Sequence, residues 1–430
     1  MMFRVFLWTG LIFISWINLS AAEEPKSLGL QESIEIALKN NLGLLSAKEE
    51  IRSAELKKKA AFSDFFPKLN VQYGYTKLNE APAVFVPKIG YIPLGWEETY
   101  QLSIGFEQPI FTGFSLKLLY ELTDLGLNMA KVRYELFTQE IIYRVKEGYF
   151  QILKAKKLRE VAAQALKQIE AHWQVAKQFY AAGMIPKNDL LQTEVQLAQY
   201  RQNLIKAENA VDLAEANFYT ILRLPAAEKI QWLEVLRYTP FPYGLLESQN
   251  IALANRPEIK ELATLGQQAR KNVDLARSAY YPKIVLSGNY LKAEDKPFPN
   301  AESWQVMALA KWTFWEWGKT NWQVDEAKVR VKQAENTLED LKDKIKLEVK
   351  QAYLNMQEAE KNIPVAQKAI EQAEENLRIN QARYQEQVAT STEVLDAQTL
   401  LVQALTNYTN ALADYNMAQA KLVRAMGINK

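Results

Sequence analysis

The sequence contains no cysteine and a single histidine, His172. The first absence excludes disulfides, thiolate metal ligands, cysteine nucleophiles and a lipid-modified N-terminal Cys. The second rules out a histidine-rich metal cluster, and no nucleophile motif stands near anything His172 could serve. In a long helical pattern it reads as a surface or groove residue. An excess of one charge is also missing, because Lys+Arg 52 against Asp+Glu 50 leaves +2 over 430 residues. This balance argues against nucleic acid as the main partner, since phosphate binding needs a concentrated basic surface. Long apolar runs are absent except at the N-terminus. There Arg4 precedes an apolar stretch over 5–17, then Ser20-Ala21-Ala22 and Glu23-Glu24. That is the pattern of a secretory signal over 1–22, too short for the ~18–20 residues of a spanning helix. No enzyme chemistry, cofactor or metal is expected.

What is present is a duplication. At an offset of 215, Glu32, Ser33, Ile36, Ala37, Leu38 and Asn40 match Glu247, Ser248, Ile251, Ala252, Leu253 and Asn255. At an offset of 204, Val145, Lys146 and Tyr149 match Val349, Lys350 and Tyr353, and the match continues to Ala216 and Ala420. A constant offset over such a span marks an internal repeat. The chain divides into a first repeat (23–225), a linker (226–242) and a second repeat (243–430). The change of offset falls between Lys68 and Val145, so the extra length belongs to a longer first hairpin.

Each repeat opens with a helical pattern, 30–63 and 248–278, which ends near Phe66-Pro67 or Tyr281-Pro282. Two period-2 runs follow. Val71, Tyr73 and Tyr75 alternate with Gln72 and Gly74; Tyr100, Leu102, Ile104 and Phe106 alternate with Gln101, Ser103 and Gly105. In the second repeat Ile284, Leu286 and Tyr290 form one row, and Trp304, Val306, Ala308, Ala310 and Trp312 another. A helix-covered antiparallel sheet gives such alternation, and so do tilted transmembrane strands of ~9–11 residues with aromatic girdles. Four strands cannot enclose a lumen alone. Long helical patterns follow at 113–182 and 319–387, the second broken only by Pro364, where a kink is expected. From Ala334 to Leu377 apolar residues recur in steps of three and four, a seam that would equally suit a two- or three-stranded coiled coil. Each long helix turns back, at Gly183-Met184-Ile185-Pro186 and at Gln387-Val388-Ala389-Thr390-Ser391, into a shorter one (187–222 and 392–426). The second turn lacks a glycine.

This plan resembles the TolC-type outer-membrane efflux proteins over nearly the whole chain after the signal. The most specific parts are Arg383-Tyr384 with Thr392-Glu393-Val394-Leu395-Asp396-Ala397-Gln398, their counterpart Tyr180–Gly183 with Asn188-Asp189-Leu190-Leu191, and Pro109-Ile110-Phe111-Thr112-Gly113. The resemblance implies a mainly α protein with a membrane β-barrel portion. In that fold a homotrimer forms a 12-stranded transmembrane β-barrel continued by a long periplasmic α-helical barrel. It implies an exit duct in the outer membrane, docked at its tip to a periplasmic adaptor protein and an inner-membrane transporter. A periplasmic adaptor or a structural coiled coil is the competing reading.

The resemblance also assigns residues. Glu393 and Asp396 match the acids of the periplasmic constriction; as rings of free carboxylates they would titrate above ordinary values. Glu393 also stands three residues after Thr390, the spacing of a capping box. Asp189 and Tyr384 match a hydrogen-bonded pair that latches the tip, while the Arg that assists closure in some relatives is Ala389 here. Gly183, Met184, Ile185, Pro186, Val388, Ala389, Thr390 and Ser391 would dock the adaptor. Tyr73, Tyr75, Tyr100, Phe106, Tyr290, Trp304 and Trp312 would form the aromatic belt against outer-membrane lipid.

Overall fold

The computed structural model describes residues 26–95, 97–225, 230–295 and 301–428; the signal reading at 1–22 lies outside them. β1 (Lys26–Leu28) leads into α1 (Leu30–Asn40) and α2 (Leu42–Ser63). β2 (Lys68–Lys77), a small hairpin of β3 (Ala83–Val86) and β4 (Gly90–Pro93), and β5 (Glu98–Phe111) follow. The long α3 (Ser115–Ala181) then returns through α4 (Lys187–Leu222), and β6 (Ile230–Trp232) leads to the second half. That half holds α5 (Leu245–Asn255), α6 (Pro257–Arg277), β7 (Lys283–Asp295), β8 (Ala301–Lys311), α7 (Lys319–Gln385) and α8 (Ser391–Ala425).

The single opening helix expected in each half is in fact two. Asn41 is extended (φ −67°, ψ 121°) and its side chain accepts the Leu44 N–H at 3.1 Å, so it caps α2 as a separate helix. In the second half Arg256 precedes Pro257 and is extended for that reason, while Pro257 opens α6 where its missing N–H costs nothing.

α3 and α7 have 67 residues each, about 100 Å at 1.5 Å per residue. α3 packs on α4 and α7 on α8. Along α7 the seam from Ile345 through Val349, Ala352, Met356, Ala359, Ala366, Ile370 and Ala373 to Leu377 is buried. The helix continues through Pro364 without interruption. Midway along the column lie two related cores. One joins Leu28, Tyr149, Ile152, Phe218 and Trp232; the other joins Ile345, Val349, Met356, Tyr415 and Leu422. β1 and β6, three residues each, pair in parallel beside the first core. The chain after β6 lies along α8, where the Tyr415 hydroxyl donates to the Thr239 carbonyl at 2.6 Å.

Four of the remaining strands form one antiparallel sheet in the order β2-β5-β7-β8. The extra length of the first connection forms the β3–β4 hairpin, which pairs only with itself. Among the described residues no helix is long and apolar enough to cross a membrane.

Candidate functional site

The sheet sorts its side chains by chemistry. Register aligns Tyr75 with Tyr100, Val71 with Ile104 and Tyr290, and Tyr290 with Trp304; Phe106, Gly288 and Val306 form the next row. Alternation sends Asn70, Gln72, Gln101, Ser103, Asn289 and Gln305 to the opposite face, where Ser103 Oγ and Asn289 Oδ1 are hydrogen-bonded at 2.8 Å. Leu69 is 83% exposed and Trp304 78%, so among the described residues no helix covers the apolar face. A sheet with one apolar face, one polar face and no cover has the side-chain distribution of a barrel wall between lipid and water.

Tyr73, Tyr75, Tyr100, Tyr290 and Trp304 share the apolar face, with Tyr75 and Tyr100 ring centroids 4.9 Å apart. Phe106 lies on the same face, one row beyond Tyr290. It is half-buried and lies over Gly288, where a Cβ would come within 2.2 Å of the ring. Trp312 follows β8 and donates its indole N–H to the Tyr280 carbonyl at 3.0 Å. On β7 and β8 the same face turns charged at Lys292 and Glu302, 3.6 Å apart. On β2 and β5 it stays aromatic one row further, to Tyr75 and Tyr100. A band that shifts along successive strands is what strand tilt requires.

At the opposite end of the column both turns are Schellman motifs. In the first, Gly183 (φ +73°) follows the helix and the Met184 N–H reaches the Phe179 carbonyl at 2.8 Å. In the second, Gln387 holds the left-handed position (φ +60°) and the Val388 N–H reaches the Arg383 carbonyl at 2.9 Å. Geometry thus replaces the missing glycine with a side chain, at a cost of about 1 kcal/mol. Met184 and Val388 are exposed on these turns. Ile185 and Ala389 sit between them and the residues that start the return helices, where Pro186 and Thr390 hold the N-cap positions.

The structure gives the two acids expected at a constriction different surroundings. Glu393 completes a capping box with Thr390: its Oε1 accepts the Thr390 N–H at 3.1 Å, and the Thr390 hydroxyl accepts the Glu393 N–H at 3.3 Å. Arg383 Nη1 donates to Glu393 Oε2 at 3.2 Å and its Nη2 to the Val388 carbonyl at 3.2 Å. The Thr390 N–H foremost, then its hydroxyl and Arg383, hold the Glu393 carboxyl below the usual range. The upward shift expected of a ring of free acids would come from neighbouring chains of an assembly. Asp396 is exposed one turn on, beside a groove lined by Leu191, Gln192, Val195 and Thr392.

The latch expected between Asp189 and Tyr384 is not formed. The Tyr384 side chain is 3% exposed, and its hydroxyl has no hydrogen-bond partner. Burial first, and the nearby Asp189 charge second, push this phenol up. A different polar node lies beside it. His172, 7% exposed rather than on the surface, holds Nε2 2.9 Å from Ser391 Oγ, which lies 3.0 Å from Thr193 Oγ1. The His172 ring also lies 4.9 Å from that of Tyr384, so α3, α4, α7 and α8 meet there. The signal was in the sequence: Ala165, Ile169, His172 and Ala176 keep the three-four spacing of a buried seam.

Burial lowers His172 to about 4. A base whose folded pKa lies below its unfolded one stabilises the fold above pH 6.5, and that contribution is lost as pH falls towards 4. The shift corresponds to about 3 kcal/mol. Hydrogen exchange at the tip, corrected for intrinsic rates, should therefore accelerate through this window in the parent and stay flat in His172→Gln. Parallel slopes would remove the residue from this role.

Among the described residues no group of three or more His, Asp or Glu could hold a metal ion. The chain matches the model of the Outer membrane efflux protein family over residues 33–222 and again over 249–428. The chain belongs to that family. Its place is accordingly the outer membrane, with a large part of the chain in the periplasm. It is 23% identical to "Outer membrane protein TolC" of Vibrio cholerae over 268 residues, 61% of this chain and 57% of that protein. The chain thus spans little more than half the length of this relative. Among solved structures, the outer membrane channel CmeC of Campylobacter jejuni superposes with TM-score 0.80 at 18% identity, covering 93% of this chain and 85% of that one. The open state of the MtrE outer membrane channel of Neisseria gonorrhoeae gives 0.77 at 19% identity, covering 93% and 89%. These likenesses establish the fold, mostly helical with a four-stranded sheet at one end.

Proposed function

We propose that the protein is one third of a passive exit duct in the outer membrane, gated at its periplasmic tip. The observation that carries this reading is the bare, two-faced sheet with free edges on β2 and β8. Unpaired edges are not tolerated in lipid, and three copies of four strands close a 12-stranded barrel. Three sets of helices about 100 Å long would continue it as a hollow column across the periplasm. The two halves, 23–225 and 243–430, are read as structural repeats joined by 226–242, in keeping with the doubled family match.

The tip turns 183–186 and 388–391 are assigned to a periplasmic adaptor protein, with an inner-membrane transporter beyond it, in efflux or secretion. The name of a Pseudomonas aeruginosa relative, "Alkaline protease secretion protein AprF", points to secretion in that protein. An adaptor or a structural coiled coil leaves the uncovered apolar face without a role. Asp396 is assigned to the tip constriction, and Asp189 with Tyr384 to a latch that would form in another state of the tip. The purified protein should insert into planar bilayers and give discrete conductance steps. A protein that extracts from membranes with alkali and conducts nothing would refute the duct.

A further inference from the structure

The tip carries one pairing that the family resemblance did not assign. Arg383, in the last turn of α7, reaches across the turn to α8 with both ends of its fork occupied. One nitrogen is on Glu393 Oε2 and the other on the Val388 carbonyl, each at 3.2 Å. Glu393's second oxygen is taken by Thr390, through its N–H at 3.1 Å and its hydroxyl at 3.2 Å. Thus the carboxylate has partners on both oxygens, and one of them is a full positive charge. Asp396, one turn further, is in neither a salt bridge nor a cap among the described residues.

We infer that Arg383 sets the ion selectivity of the tip by neutralising Glu393, so that each chain presents one effective acid there, Asp396, rather than two. This rests on the duct reading. Arg383 is a positioning and charge-compensating residue that need not touch the cargo. Its fork holds Glu393 against the turn, a two-point geometry that Lys cannot reproduce. In a threefold assembly the constriction then carries three uncompensated carboxylates instead of six. The Coulomb field that enriches cations is correspondingly weaker, and the repulsion that would drive the tip apart is smaller.

The test is the cation-to-anion permeability ratio in planar bilayers under a KCl gradient. Arg383→Gln frees Glu393 and should raise the ratio several-fold, since one unit charge some 7 Å away in water shifts cation and anion occupancy about threefold each, in opposite senses. Glu393→Gln leaves Arg383 unpaired and should lower it by a similar factor, and the double variant should return to the parent. Arg383→Lys keeps the charge and should stay close to the parent, which separates charge from a merely structural role. An Arg383→Gln ratio at or below the parent overturns the inference, as does a Glu393→Gln ratio at or above it. Either Gln variant suffices if the other fails to assemble. A parent that forms no channel defeats the duct reading instead, so the two failures are distinguishable.

Discussion

Val306→Arg is expected to eliminate the assembled protein from the outer membrane, whereas Gln305→Arg, one residue away, is expected to leave it assembled. Val306 lies in the apolar row with Gly288 and Phe106, and Gln305 pairs with Asn289 on the polar face. An Arg facing the bilayer midplane costs about 2–4 kcal/mol, and the proposed trimer carries that cost three times. On the polar face the same side chain meets water and should change conductance only. The check is the trimer band on unheated gels of outer-membrane fractions. Equal amounts from both variants would mean that the two faces are not lipid and water.

The second large effect is expected halfway down the column, at Arg256. Its side chain is 6% exposed and bridges Glu258 at 2.6 Å and Glu348, which also pairs with Arg424 at 3.4 Å. Arg424 reaches Glu140 at 3.0 Å, so one ionic network ties α3, α6, α7 and α8. Removing one member of a buried pair strands its partner's charge, at a cost of about 3–5 kcal/mol. Because Glu348 keeps Arg424, Arg256→Met should fall at the low end, about 3 kcal/mol. The urea midpoint should drop accordingly, and Arg256→Lys should fall between. An unmoved midpoint would show that the network adds nothing to stability.

These two sites differ in how visible they were beforehand. The alternation of Val71, Tyr73 and Tyr75 against Gln72 and Gly74, and the seam from Ile345 to Leu377, are local and periodic, and a period survives reading one residue after another. The Asn41 and Arg256 breaks interrupt helices whose apolar spacing continues across them. A single capping side chain and a single proline decide those boundaries against the period. The ionic network at Arg256 joins residues up to 284 positions apart, as Arg424 and Glu140 show. Such pairs have no spacing to read.

At the tip the residues marked both turns, but the resemblance did not give the state of their side chains. Thr390 and Glu393 show their capping box in sequence, because its spacing is local. Arg383 binds the same carboxylate from ten residues upstream across a turn, and only folding brings it there. Tyr384 and Asp189 stand close without a hydrogen bond, a matter of side-chain rotation that sequence likeness does not determine.

Everything proposed for function depends on how many chains close the barrel. The most direct measurement is the protein mass of the detergent-solubilised particle, by sedimentation with bound detergent subtracted. Three copies of the chain are predicted, stable on dilution. A monomer or dimer that persists at all concentrations, with β2 and β8 left unpaired, would contradict the duct.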